Sequence, residues 1–136
     1  LDNDDLSMAT IELQEVELID VNSIENRAML KVTFLVANPG EVTVTVPVIS
    51  YRLFADGSEI GNGAYSTEDV AMPGRAAFYP DAEIPLKNKI TIVMSEMSET
   101  VYNKIVSGQI VQYSATGQMT VESAWSIVEL DFDTRS

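Results

Sequence analysis

A chain of 136 residues suits a single domain whose core is large enough to need neither a metal nor a disulfide, and 46% hydrophobic residues argue against intrinsic disorder. Its 21 acidic residues against 8 basic ones give a formal net charge of −13, which makes nucleic-acid backbones and anionic lipid surfaces poor partners and fits high solubility, a salty or hot setting, or a cationic partner. Cysteine and histidine are both absent, so thiolate zinc sites, haem histidines, Ser-His-Asp triads and Cys-His dyads are excluded.

The chain opens at Leu1 rather than Met, so either it was trimmed or a leader, a signal or an anchor, was removed; the expected location is cytoplasmic, or extracytoplasmic and membrane-anchored if a leader preceded Leu1. Asp2, Asn3, Asp4 and Asp5 read as a solvated acidic tail over 1–9, with the folded domain spanning 10–133. Residues 11–21 make a first strand, whose phase change between Leu13 and Val16 predicts a bulge. Ala28, Leu30, Val32, Phe34 and Val36 alternate with Met29, Lys31, Thr33, Leu35 and Ala37, the period of a strand with one apolar face and one mixed face. Asn38-Pro39-Gly40 ends that run, and proline followed by glycine suits a type II turn with φ > 0 at Gly40.

Residues 42–55 form a strand that Pro47 should break or confine to a sheet edge. Asp56-Gly57 is a hairpin turn leading into a return strand over 59–64, irregular at Gly61 and Gly63. A short strand over 67–72 turns at Pro73-Gly74 into a strand over 76–86, and 89–94 either continues it after a kink or stands apart. Met97, Val101 and Ile105 recur every four residues, so 95–107 should be a helix. Ser95 or Ser98 would cap it, Glu96 and Glu99 suit its first turn, Lys104 its last, and Gly108 stops it. Strands over 109–122, with a bulge or close approach at Gly117, and 125–132 complete the chain. Short strands separated by regular turn signals predict an all-β-dominated, two-sheet antiparallel sandwich with one α-helix.

One succession of features goes further. An alternating strand ends in Asn38-Pro39; then come Ile49-Ser50-Tyr51-Arg52-Leu53, Gly57 and Ile60-Gly61-Asn62-Gly63. Val16-Glu17-Leu18 and Ile24 precede it, and Met72-Pro73-Gly74, Ile84-Pro85-Leu86, Tyr113 and Gly117 follow. This order resembles the LEA14-like/WHy (water stress and hypersensitive response) family of late embryogenesis abundant proteins, over 11–132. The resemblance implies a fibronectin-III-like sandwich with one helix and a non-enzymatic protective role in desiccation, cold or heat. It brings no catalytic residue and no cofactor, and Asn38, Pro39 and Gly40 carry over as a structural signature turn. Residues 123–136 lack the Gly/Pro-containing segment of plant members, so the chain is closer to bacterial or archaeal ones.

Other constellations have plainer readings. Asp131 and Asp133 share a strand face and, with Asp2, Asp4 or Asp5, would offer carboxylates to calcium, which takes about six to eight oxygens; without a calcium-loop spacing, a solvated acidic face is the simpler account. Glu68-Asp69 cannot share a strand face, and nothing marks a distant acid/base pair. Met29, Met72, Met94, Met97 and Met119 are an adaptable client surface or, more simply, core. Tyr51, Tyr65, Tyr79, Tyr102, Tyr113 and Trp125 are a binding patch or, more simply, buried aromatics. Expected partners are partly unfolded client proteins, with no nucleic acid and no direct membrane insertion, since no run of about 18 apolar residues occurs. Pro47 and the glycines around Gly61 would discourage edge pairing, which favours a monomer. The rival to the protective role is a surface-tethered fibronectin-like module binding a protein or glycan through its end loops.

Overall fold

The computed structural model describes residues 5–67 and 77–136. Its strands are β1 (Thr10–Asn22), β2 (Arg27–Ala37), β3 (Val44–Ala55), β4 (Ser58–Ser66), β5 (Ala77–Phe78), β6 (Glu83–Val93), β7 (Tyr113–Glu122) and β8 (Ile127–Arg135), with helix α1 (Glu99–Val106) between β6 and β7. One sheet has the order β1-β2-β6; the other has the order β4-β3-β7-β8, with β5 added to β3. All neighbours are antiparallel. This is the expected all-β sandwich.

Alternation builds the core. Ala28, Leu30, Val32, Phe34 and Val36 of β2 are all buried, and face Ile49, Tyr51 and Leu53 of β3 and Ala115, Met119 and Val121 of β7. The mixed face of β2 is half-covered, because it lies in the middle of its sheet between the side chains of β1 and β6. Fully burying one such aliphatic side chain contributes roughly 1.5–3 kcal/mol. Leu6 and Ala9, within the stretch read as a tail, are also buried in this core.

Several expectations hold in detail. The β1 register shifts between Leu13 and Glu15, as the phase change implied, and again between Leu18 and Asp20. Asp56 (φ 51°) and Gly57 (φ 82°) form the two-residue hairpin between β3 and β4, with the positive φ values of a type I′ turn. Gly108 (φ 79°) ends the helix, and Ser98 caps it, its side chain accepting from Val101 N–H.

Others are corrected. Of the two expectations for Pro47 the edge is corrected, since β3 is a central strand, and the break holds. The chain accommodates the proline by a register shift against β7 between Thr45 and Val48. On the other side β4 pairs no further than Val48 and β5 begins at Thr45, so no ladder bond is asked of the proline. The strand expected over 76–86 is divided: β5 ends at Phe78, Asp81 takes a left-handed φ of 67°, and β6 then runs unbroken through the predicted kink. The helix starts later than 95, because a 3₁₀ turn (Met94–Glu96) and an extended Met97 precede its cap. The strands expected at 109 and 125 begin instead at Tyr113 and Ile127. The short strand ending at Met72 and the Pro73-Gly74 turn lie outside the described residues.

Candidate functional site

The signature turn is a sealed corner. Asn38, only 1% exposed, donates through Nδ2 to the carbonyls of Val42 and Phe78, both at 2.8 Å, and accepts from Gly40 N–H through Oδ1 at 3.2 Å. Its backbone N–H donates to Ala82 O (3.0 Å), and its carbonyl accepts from Asp81 N–H (2.7 Å). One residue thus ties the end of β2 to the entry of β3, to β5 and to the turn before β6. Gly40 does not take the left-handed φ of the expected type II turn. Its glycine is needed for space: a Cβ there would stand 3.0 Å from Asp5 O and 3.3 Å from Asn38 Oδ1. Pro39 is exposed and caps the corner from outside.

The second polar tie crosses the sandwich. Tyr51 reaches from β3 to β6 and donates its hydroxyl to Asn88 Oδ1 at 2.5 Å, while Asn88 Nδ2 donates to Ala64 O of β4 at 3.1 Å. Burial pushes the Tyr51 phenol well above its ordinary range, so it stays a neutral donor. Its ring packs edge-on against Phe34 (4.9 Å), which meets Phe132 in the same way (5.7 Å). Glycines flank Tyr51 on both strands, Gly63 and Gly117. At Gly117 the approach is one of backbones: a Cβ would fall 2.0 Å from Ser50 O, the close contact expected there.

A third cluster lies at the far end. Lys104 Nζ is 2.6 Å from Asp56 Oδ2, and Asp56 Oδ1 accepts from Gln112 N–H at 2.9 Å. The Lys104 hydrogen bond, then that of Gln112, hold the Asp56 carboxyl below its usual range. The arrangement pins α1 and its following loop to the β3–β4 hairpin.

The outer face of the first sheet is graded in charge. Pairing aligns Glu15–Thr33–Lys87 and Glu17–Lys31–Lys89 in rows across β1, β2 and β6. Glu12 and Asp20 extend the acidic column on β1. Lys31 bridges the two columns through Glu17 at 3.2 Å. With Lys87 and Lys89 it lines a groove of about 600 Å³ between the β6 and β4 edges, lined also by Asn62, Gly63 and Asn88. Sequence reasoning passed over these lysines; the period-two spacing of Lys87 and Lys89 was visible, but only strand pairing brings Lys31 beside them.

The remaining sites separate. Asp131 and Asp133 both lie exposed on β8, and Asp131 Oδ1 accepts from Gln118 Nε2 at 2.9 Å. Among the described residues no group of three or more acidic side chains is placed to hold a metal ion. Glu68, Asp69 and the aspartates at 2 and 4 lie outside those residues. Met119 is core, and Met94 and Met97 pack against it. Tyr51, Tyr65 and Tyr102 are buried and Tyr113 is half-buried, but Tyr79 (65% exposed) and Trp125 (83%) stand in solvent at loops of the Asn38 end. No described helix is long and apolar enough to cross a membrane.

No protein-family model matches the sequence, and no curated protein is significantly similar to it. Solved structures do match in shape. A protein from Archaeoglobus fulgidus is 16% identical, with 92% of this chain and 94% of that one covered, at a TM-score of 0.53. An Arabidopsis thaliana protein solved in solution is 16% identical over 93% of this chain and 79% of its own, at 0.61. A candidate late embryogenesis abundant (LEA) protein, also solved in solution, is 10% identical over 98% of this chain and 74% of its own, at 0.52. What the chain shares with these proteins is their fold, a β-sandwich extending over nearly all of its length.

Proposed function

We propose that this domain is a non-enzymatic stress-protection module that keeps other proteins from aggregating or losing activity during desiccation, cold or heat. The observation that carries this reading is the fold it shares, over 98% of its length, with a candidate LEA protein. The −13 charge supports it physically: a dense set of exposed carboxylates holds water and keeps copies apart when solvent is scarce. Partly unfolded proteins are the clients, and the domain works as a monomer without nucleic acid. The test is the activity a labile enzyme keeps through freeze-drying and heating, with this domain or an inert protein of similar charge added at equimolar ratio. Protection well above the control supports the reading, and equal protection refutes it.

The exposed Trp125 and Tyr79 favour a second reading, an interaction module that binds a protein or glycan through its end loops. A saturable partner lost on Trp125→Ser, with enzyme protection equal to the control, would put this reading first.

A further inference from the structure

The β6 edge is guarded differently from the other edge of its sheet. β1 is broken by two bulges and is held to β8 where Leu13 N–H donates to Thr134 Oγ1 at 3.0 Å. β6 keeps one unshifted register with β2 along its whole length. Pro85 sits inside that ladder without disturbing it, and a residue lacking an N–H fits there only where the backbone faces away from β2. By the alternation of an antiparallel ladder, Lys87, Lys89 and Thr91 also turn their N–H and C=O groups outward, with their side chains on the outer face. Among the described residues nothing else bonds these outward groups, so the same residues present free backbone groups and two ammonium groups along one line.

Among the described residues neither Lys87 nor Lys89 has an ion-pair partner, although the protein carries −13. Pairing of this edge with its own copy would set lysine against lysine, which opposes a symmetric dimer here. A strand with alternate carboxylates would complement both the backbone row and the cations, including Lys31 on the neighbouring strand.

We propose that the β6 edge takes an extended acidic peptide segment as an added strand, its backbone bonding at Lys87, Lys89 and Thr91 and its carboxylates meeting Lys31, Lys87 and Lys89. This rests on edge geometry and local charge, independently of the protective reading. The probe is an acetylated, amidated nonapeptide alternating glutamate and valine, titrated at about 0.15 M salt, where the screening length of about 8 Å damps the distant carboxylates. Amide exchange at Lys87, Lys89 and Thr91 should slow about tenfold or more, with Asn88 and Ile90 unchanged. The pair Lys87→Glu and Lys89→Glu, both at exposed positions, should weaken binding roughly tenfold or more. Lys87→Gln with Lys89→Gln should give a smaller loss, and serves if the charge reversal disturbs folding. A peptide N-methylated at alternate residues should not bind. The proposal is overturned if the nonapeptide does not bind. It is equally overturned if the methylated peptide or inorganic polyphosphate binds as tightly, because the lysines would then be an anion patch without strand addition.

Discussion

Asn38→Ala removes the three side-chain hydrogen bonds of the sealed corner while deleting little apolar volume. The Phe78 carbonyl and the Gly40 N–H are left in buried positions, and the Val42 carbonyl in a partly buried one. A buried group stripped of its partner costs about 1–3 kcal/mol. Water can reach the Val42 carbonyl, so the two buried groups dominate and the expected loss is about 3 kcal/mol. For a domain of this length, with an unfolding entropy of about 2.1 cal/mol/K per residue, that lowers Tm by about 10 °C. Urea titration at unchanged m-value is the assay, since a shifted midpoint at constant slope isolates stability. Asn38→Asp sharpens the test because it preserves shape. A carboxylate cannot donate to the Phe78 and Val42 carbonyls, and burial beside them would raise its pKa above the unfolded value. Its defect should therefore be greatest at neutral pH and shrink as pH falls toward about 4, where the protonated acid regains one donor. A loss under about 1 kcal/mol for Asn38→Ala, or a neutral Asn38→Asp at pH 7, would show that the corner is not held as described.

Three further outcomes can be checked by the same denaturation assay. Gly117→Ala places a Cβ against the backbone of central strand β3 and should cost about 3 kcal/mol or more, whereas Gly63→Ala meets only the ends of Tyr51 and Ile90 and should cost less; equal costs would contradict the geometry. Tyr102→Phe should leave stability unchanged or raise it by up to about 1 kcal/mol, because the Tyr102 hydroxyl is buried with no hydrogen-bond partner among the described residues; a clear loss would reveal an unseen partner. Asp56→Asn should destabilise at neutral pH by removing the Lys104 pair. Because the folded pKa of Asp56 lies below its ordinary 3.8, the difference from the native protein should be complete above that value and vanish as pH falls through the folded pKa; a gap that persists at the lowest pH would assign the effect to the turn.

The sandwich was legible wherever period two coincided with burial. The inward row of β2 can be read directly from the residues, as can the β1 bulge, the Asp56-Gly57 hairpin and the Gly117 contact. Pro47 left an edge and a break both open because a proline signals a missing donor but not its location; the structure takes the break, a register shift in a central strand. The helix start was misplaced because its apolar spacing reaches back to Met97, whereas the helix begins only after the side chain of Ser98 closes the first turn. At Gly40 the turn chemistry pointed to a dihedral angle, while the operative constraint is the nearby Asp5 carbonyl, a contact between distant segments. The lysine edge was hidden for the same reason: Lys31 joins Lys87 and Lys89 only through pairing between strands far apart in the chain. Tyr79 and Trp125 defied the expectation for aromatics because both sit in loops, beyond the faces that the strands bury.

The Asn38 and Tyr51 ties inside the sandwich are made between protein atoms. Asn38 closes on three backbone groups and Tyr51 on Asn88, which closes in turn on Ala64. A group supported by a trapped water loses that support as the vapour pressure falls, whereas these bonds have nothing to give up. On drying, these five bonds stay in place while the hydration shells of the exposed carboxylates are withdrawn. As those shells thin, the carboxylates must recruit sodium, potassium or the ammonium groups of neighbouring proteins to remain charged.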